Sequence, residues 1–304
     1  MKARFLPITL FACAVVSAAA AETKSGWAAT TWNGERAYAA TSGAWRAIVS
    51  IDRGRLIYFG AANEDRNLLF APPKRDTPMG WGGHRVWCGP QELWPGGWPP
   101  PEAWEHSAPA NVKAEGARLE LKMPDSPDGW PNITREYFWT DGALHCRVKL
   151  TGGTRDAQII QILQVPASAE ATVQAAASPK AVRGYVQVHL GRHPSPRYEF
   201  PAAPQVAADG GSLRIKFAGT VEKLGFDPQP LHARIGGTAL TISRGVGEGA
   251  VVSTPDDGYM TQVYFGSSQA ALIELEQLSP LWRAGDPAEF DLVISVQPAG
   301  SADD

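Results

Sequence analysis

The sequence predicts an all-β protein, a large antiparallel sandwich, and three observations carry that prediction. Apolar and polar residues alternate at a two-residue period in run after run, with many of the apolar positions β-branched or aromatic. Gly, Pro, Asn and Asp break these runs about every 8–15 residues, a spacing that suits sandwich turns. No stretch of about 12 residues repeats its apolar positions at the 3.6-residue period of an amphipathic helix.

Each element follows from the same pattern. "AWRAIVSID" (44–52) and "RLIYFGA" (55–61) flank Arg53-Gly54 and read as a hairpin. "ARLELKM" (117–123) alternates cleanly. "NITREYFW" (132–139) and "ALHCRVKLT" (143–151) form a second hairpin, because Asp141-Gly142 supplies residues that tolerate positive φ. Further strands are read at 158–165, 182–190, 212–219, 233–244, 261–266, 270–278 and 289–297. "SAEATVQAAASPKA" (168–181) suits one or two helical turns before Pro179. The stretches beginning at Ala103 and at His193 read as long loops, and a domain boundary near residue 200 is the alternative to one domain over 22–298. No internal repeat marks a propeller or a β-helix, and the tail at 299–304 reads as disordered.

The ends and composition narrow the function classes. Residues 1–21 carry Lys2 and Arg4, an apolar run and a small-residue cleavage site, the three parts of a secretory signal. A lipoprotein signal ending at Cys13 is the rival reading. Export to the periplasm or beyond is expected, with a mature chain of 283 residues and no membrane span. Cleavage leaves 26 basic against 31 acidic residues and no basic run, which disfavours nucleic acid as a partner. Cys88 and Cys146 remain, either as a disulfide or as two thiols, and neither has a zinc-like spacing. No metal is expected.

Two segments carry candidate chemistry. "GWGGHRVWCGPQELWPGGWPPPEAW" (80–104) holds five tryptophans, Trp81, Trp87, Trp94, Trp98 and Trp104, among glycines and prolines. An indole face suits the C–H face of a pyranose, and prolines would hold the rings in place before a ligand arrives. Trp87 and Trp98 are the expected cleft rings, and two or three of the five are expected to plug the sandwich end. Gln91 adds a polar contact. Arg85 offers a planar fork to hydroxyls, or it pins the loop through Glu92 or Glu102. His84 is a candidate acid or a capped loop histidine. His189, in "VQVHL", is the best strand-borne histidine, or a satisfied sheet residue. In "ALIELEQL" alternation puts Glu274 and Glu276 on one face, about 7 Å apart, opposite Ile273 and Leu275. They are either site carboxylates or a solvent-facing surface.

Gly82, Gly83, His84, Arg85 and Trp87, then Pro90 and Gln91, then Trp98, Pro99 and Pro100, and much later Glu274, Glu276, Ser279 and Pro280 keep an order that covers most of the mature chain. In this order the sequence resembles a bacterial group related to the galactose mutarotases (aldose 1-epimerases). The resemblance implies a β-supersandwich with a sugar cleft on the concave face of one sheet, and a mono- or oligosaccharide ligand. It implies acid–base chemistry without a cofactor, with Glu274 or Glu276 as base, His84 or His189 as acid, and Arg85 holding hydroxyls. Leu275-Glu276-Gln277 departs from the mutarotase Leu-Glu-x-Gln segment. A non-catalytic glycan-binding protein is the second reading, and a polysaccharide lyase or glycoside hydrolase the third. The oligomeric state is not legible.

Overall fold

The computed structural model describes residues 26–72, 82–94, 100–105, 107–174, 182–187, 194–199, 206–209, 212–216, 222–255, 259–265 and 272–297. The expected signal, Trp81, Trp98, His106, His189, His193 and the tail lie outside them.

Four strands come first, β1 (Ala28–Trp32), β2 (Glu35–Ser42), β3 (Trp45–Ser50) and β4 (Arg55–Ala61), paired in that order as a four-stranded meander. Asn33 and Gly34, at φ 48° and 80°, make its first turn, since Asn and Gly tolerate the left-handed region. Next come β5 (His84–Gly89), a 3₁₀ turn at Gln91–Leu93 and a single helical turn, α1 (Glu102–Glu105). The chain continues through β6 (Asn111–Glu115), β7 (Arg118–Lys122), β8 (Asn132–Thr140), β9 (Ala143–Thr151), β10 (Ala157–Pro166) and β11 (Glu170–Gln174). Beyond them lie β12 (Val182–Gln187), β13 (Pro194–Glu199), β14 (Val206–Asp209), β15 (Ser212–Lys216) and β16 (Glu222–Phe226). The last are β17 (Leu231–Ile235), β18 (Thr238–Glu248), β19 (Val251–Ser253), β20 (Thr261–Phe265), β21 (Leu272–Trp282) and β22 (Ala288–Gln297).

Two large antiparallel sheets result. One runs β13-β12-β16-β20-β21-β10-β5, with β19 paired to β21; the other runs β14-β15-β11-β17-β18-β22-β9-β8-β7-β6. They pack face to face, as the Gln161 side-chain amide of β10 donating to the Phe290 carbonyl of β22 at 2.7 Å shows. Leu163, Val263 and Leu275 of the first sheet share one buried cluster with Tyr137, Val148 and Leu292 of the second. Val49, Leu56 and Phe59 of the meander join it, and Phe59 stacks on Trp139 at 6.0 Å. Each fully buried aliphatic or aromatic side chain there contributes about 1.5–3 kcal/mol.

The expected hairpins at 44–61 and 132–151 are present, the second turning at Asp141 and Gly142 with φ 50° and 75°. Four expectations are corrected. Glu170–Gln174 is a strand paired with β15 and β17, not a helical turn, because both neighbours draw its backbone into the ladder and bury Ala171. The run 233–244 is two strands, divided at Gly236-Gly237 by φ of 52° and 88°. The stretches read as loops contain α1 and β6 in one case, and β13 and β14 in the other. Within the tryptophan-rich segment, His84–Gly89 is a strand. Cys88 and Cys146 are free and buried, and burial pushes both thiols up. No helix among the described residues is long and apolar enough to cross a membrane.

Candidate functional site

The site rests on the face of the first large sheet that turns away from the second. Antiparallel register sets its rows. Glu274 of β21 stands between Gln164 of β10 and Tyr264 of β20, and Tyr264 in turn stands beside Lys223 of β16. In the next row Glu276 stands between Ile162 and Gln262, and Ile162 faces Arg85 of β5. Strands about 4.8 Å apart bring such neighbours within side-chain reach.

Diagonal ion pairs tie the rows together. Arg85 Nη1 donates to Glu274 Oε1 at 2.9 Å, and Lys223 Nζ meets Glu276 Oε2 at 2.7 Å. The Gln164 Nε2 also donates to Glu274 Oε1, at 2.6 Å. That bond fixes the amide, because the reverse orientation would aim its carbonyl at a carboxylate. Both anchoring bonds fall on one oxygen of Glu274. Its other oxygen, Oε2, has no hydrogen-bond partner among the described residues. The Gln164 carbonyl oxygen is likewise without one, and it is buried.

Behind Arg85 lies a second carboxylate. Glu105 of α1 accepts from Arg85 Nε at 2.8 Å, from the Trp87 indole at 2.6 Å and from both terminal nitrogens of Arg55 at 3.2 Å. Arg55 also donates to the Glu105 backbone carbonyl. Burial alone would raise this carboxyl, but Arg55 and Arg85 outweigh it and pull Glu105 down to about 2. Burial lowers the Arg55 guanidinium to about 10 against the pull of Glu105. For Arg85 burial acts downward too, but Glu105 and then Glu274 hold the group above its ordinary value. Arg85 also lies 4.5 Å over the Trp87 ring, so its plane is fixed from below.

Burial, followed by the nearby charges of Glu274 and Glu276, pushes the Tyr264 phenol well up, while Arg85 acts in the opposite sense. Tyr264 therefore stays protonated at neutral pH.

The expected site residues divide. Arg85, Glu274 and Glu276 come together, with the two glutamates on the face that alternation assigned them. Neither glutamate forms a solvent-facing surface, since they are 6% and 1% exposed. Arg85 binds Glu105 and Glu274. His84 points the other way, into the space between the large sheets. Its Nε2 lies 2.9 Å from Gln161 Oε1 and its Nδ1 3.4 Å from the Tyr137 hydroxyl. Burial, then Arg135, lowers it to about 3, so a neutral core histidine stands where the sequence left open a candidate acid or a capped loop residue. Trp87 is 1% exposed and serves as packing beneath Arg85, not as an open platform. It starts an edge-to-face chain with Trp94, Trp104 and Trp130, at 5.4, 6.3 and 5.5 Å, that plugs this end of the sheets. Gln91 sits in the 3₁₀ turn past the end of β5, outside the rows holding the glutamates.

The Gly82-Gly83 pair brings the backbone close to the chain itself. A Cβ on Gly82 would meet the Phe70 carbonyl at 1.9 Å, and one on Gly83 the Leu56 carbonyl at 2.1 Å, with φ of 61° and 77°. Among the described residues no three His, Cys, Asp or Glu side chains gather as a metal site requires. Sequence reasoning missed Glu105, Gln164, Lys223 and Tyr264. Gln158, Gln161 and Gln164 in an otherwise apolar run were the available signal, because buried amides need partners.

Solved structures with this arrangement of sheets name the fold. A protein from Escherichia coli K12, provisionally named an aldose 1-epimerase, superposes with a TM-score of 0.57 at 11% identity, over 84% of this chain and 96% of its own. The chain has the galactose mutarotase-like fold. A galactose mutarotase related enzyme from Lactobacillus acidophilus gives 0.56 at 7% identity, over 90% and 98% of the two chains. A provisionally named mutarotase from Salmonella typhimurium gives 0.51 at 11%, over 89% and 93%. No family model and no curated protein matches the chain by sequence. At such identities the galactose mutarotase-like architecture is shared, and a shared fold by itself carries no activity.

Proposed function

We propose that this face recognises carbohydrate and interconverts the anomers of an aldose by acid–base chemistry. The observation that supports the reading is a pair of buried carboxylates, Glu274 and Glu276, held on one strand face by Arg85 and Lys223 in a mutarotase-like fold. Glu274 is the base. One of its oxygens is anchored by Arg85 and Gln164, so the other is aimed and can take the anomeric hydroxyl proton. Glu276 and the Gln164 carbonyl accept hydrogen bonds from other hydroxyls. The amino-terminal signal pattern supports export as the setting for this activity.

Polarimetry on freshly dissolved aldoses, with calorimetry on the same samples, tests the proposal. The expected result is a rate above the buffer blank that falls about 10²–10⁴-fold in Glu274→Gln while affinity changes little. Wild-type protein that binds sugars but accelerates no anomer interconversion would leave the second reading, a non-catalytic glycan-binding protein. The observation on that side is that both carboxylates already sit in ion pairs.

A further inference from the structure

Ring opening needs an acid for the ring oxygen as well as a base. Among the described residues no histidine shares the face of Glu274. His84 lies between the sheets, and His145 and His232 belong to β9 and β17 of the other sheet. What stands next to Glu274 is a phenol. Tyr264 is its direct cross-strand neighbour, with Lys223 on the far side. Tyr264 is buried to 7% exposure, and among the described residues nothing hydrogen-bonds its hydroxyl. Glu274, Glu276, Lys223 and Arg85 surround it, and Gln164 and Tyr264 flank Glu274 with polar atoms that other residues of the row leave open.

We infer that Tyr264 is the proton donor of this site, resting on the proposed anomer interconversion. The anomeric O–H gives its proton to Glu274 Oε2 as the bond from C1 to the ring oxygen breaks. The electron pair of that bond goes to the ring oxygen, which takes the Tyr264 proton and becomes a hydroxyl. C1 becomes an aldehyde carbon, Tyr264 a phenolate and Glu274 a carboxylic acid. Rotation about C1–C2 and the reverse transfers close the ring on its other face and restore both groups. The transfers assist each other. Glu274 is one of the charges that disfavour the phenolate, and protonating it removes that repulsion. Lys223 and Arg85 then face the phenolate as counter-charges.

The test compares wild type, Tyr264→Phe and a chain carrying 3-fluorotyrosine at position 264, by polarimetry across pH on an aldose the wild type turns over. The expected result for the phenylalanine variant is a kcat about 10²–10⁴-fold lower, with KM within about tenfold of wild type. Fluorotyrosine keeps the shape of the ring and the proton-donating hydroxyl, so kcat should return to within about tenfold of wild type. An active wild type whose phenylalanine variant keeps more than about a tenth of the rate, or whose fluorotyrosine variant is as slow as the phenylalanine one, would overturn the role of Tyr264. The sugar reading would survive that result. A wild type that accelerates no aldose would overturn the anomer reading, and the proton donor with it.

Discussion

Glu105→Gln isolates the carboxylate beneath the site. Gln keeps the volume but is neutral, so Arg55 and Arg85 both lose the Glu105 charge, while Arg85 keeps Glu274. Removing one partner of a buried ion pair costs about 3–5 kcal/mol. A separate route gives a similar figure: a carboxyl held at about 2 instead of 4.5 has its charged form favoured by roughly 3 kcal/mol, at 1.36 kcal/mol per pH unit. With a urea m-value of about 3 kcal/mol/M for a chain of this size, the unfolding midpoint should fall by about 1 M at pH 7. The pH dependence has a definite sign. Folding lowers the carboxyl, so its contribution is complete above 4.5 and is lost as pH falls towards about 2. The gap between wild type and variant should therefore close over that range. A midpoint shift under a third of the expected value at pH 7, or one that persists unchanged near pH 2, would refute the account of Glu105 as the charged anchor.

Three further outcomes follow. Folding lowers the His84 ring from 6.5 to about 3, so the unfolded chain binds the extra proton between those values, and stability should fall by up to roughly 5 kcal/mol as pH drops across them. His84→Gln should flatten that slope in urea titrations, and an NMR titration of His84 centred near 6 would contradict it. Gly83→Ala should cost more than about 2 kcal/mol in thermal or urea unfolding, because a side chain meets the Leu56 carbonyl at a left-handed φ. Thiol reagents should label neither Cys88 nor Cys146 in the folded protein and both after denaturation, whereas a chain without titratable thiols would reveal a disulfide.

Local pattern made some of this site readable in advance. Leu272–Leu278 alternates, so the shared face of Glu274 and Glu276 was legible from two-residue periodicity alone. Their burial was not, because it depends on β10 and β20 flanking β21. The same periodicity, applied to His84–Gly89, separates His84 from Arg85. The surrounding glycines, prolines and tryptophans hid that strand, and so the histidine was grouped with the arginine. Glu105 had no readable signal at all. Its partners come from β4 and β5, which only the tertiary fold brings to α1. The hairpins at Asp141-Gly142 and Arg53-Gly54 were visible because a turn is written in adjacent residues, while the order of strands across a sheet is not.

The double grip on Glu105 makes the amino-terminal meander part of the candidate site's support. Arg55 reaches the carboxylate from the meander and Arg85 from the candidate site, so one side chain of a four-residue helix joins two sheets that share no ladder. A chimera that exchanged the first sixty or so residues for another chain's would have to import its own arginine at position 55. Without it, the guanidinium that orients Glu274 would rest on a loosened anchor. The meander and the site are therefore expected to be inherited together and to resist being shuffled apart.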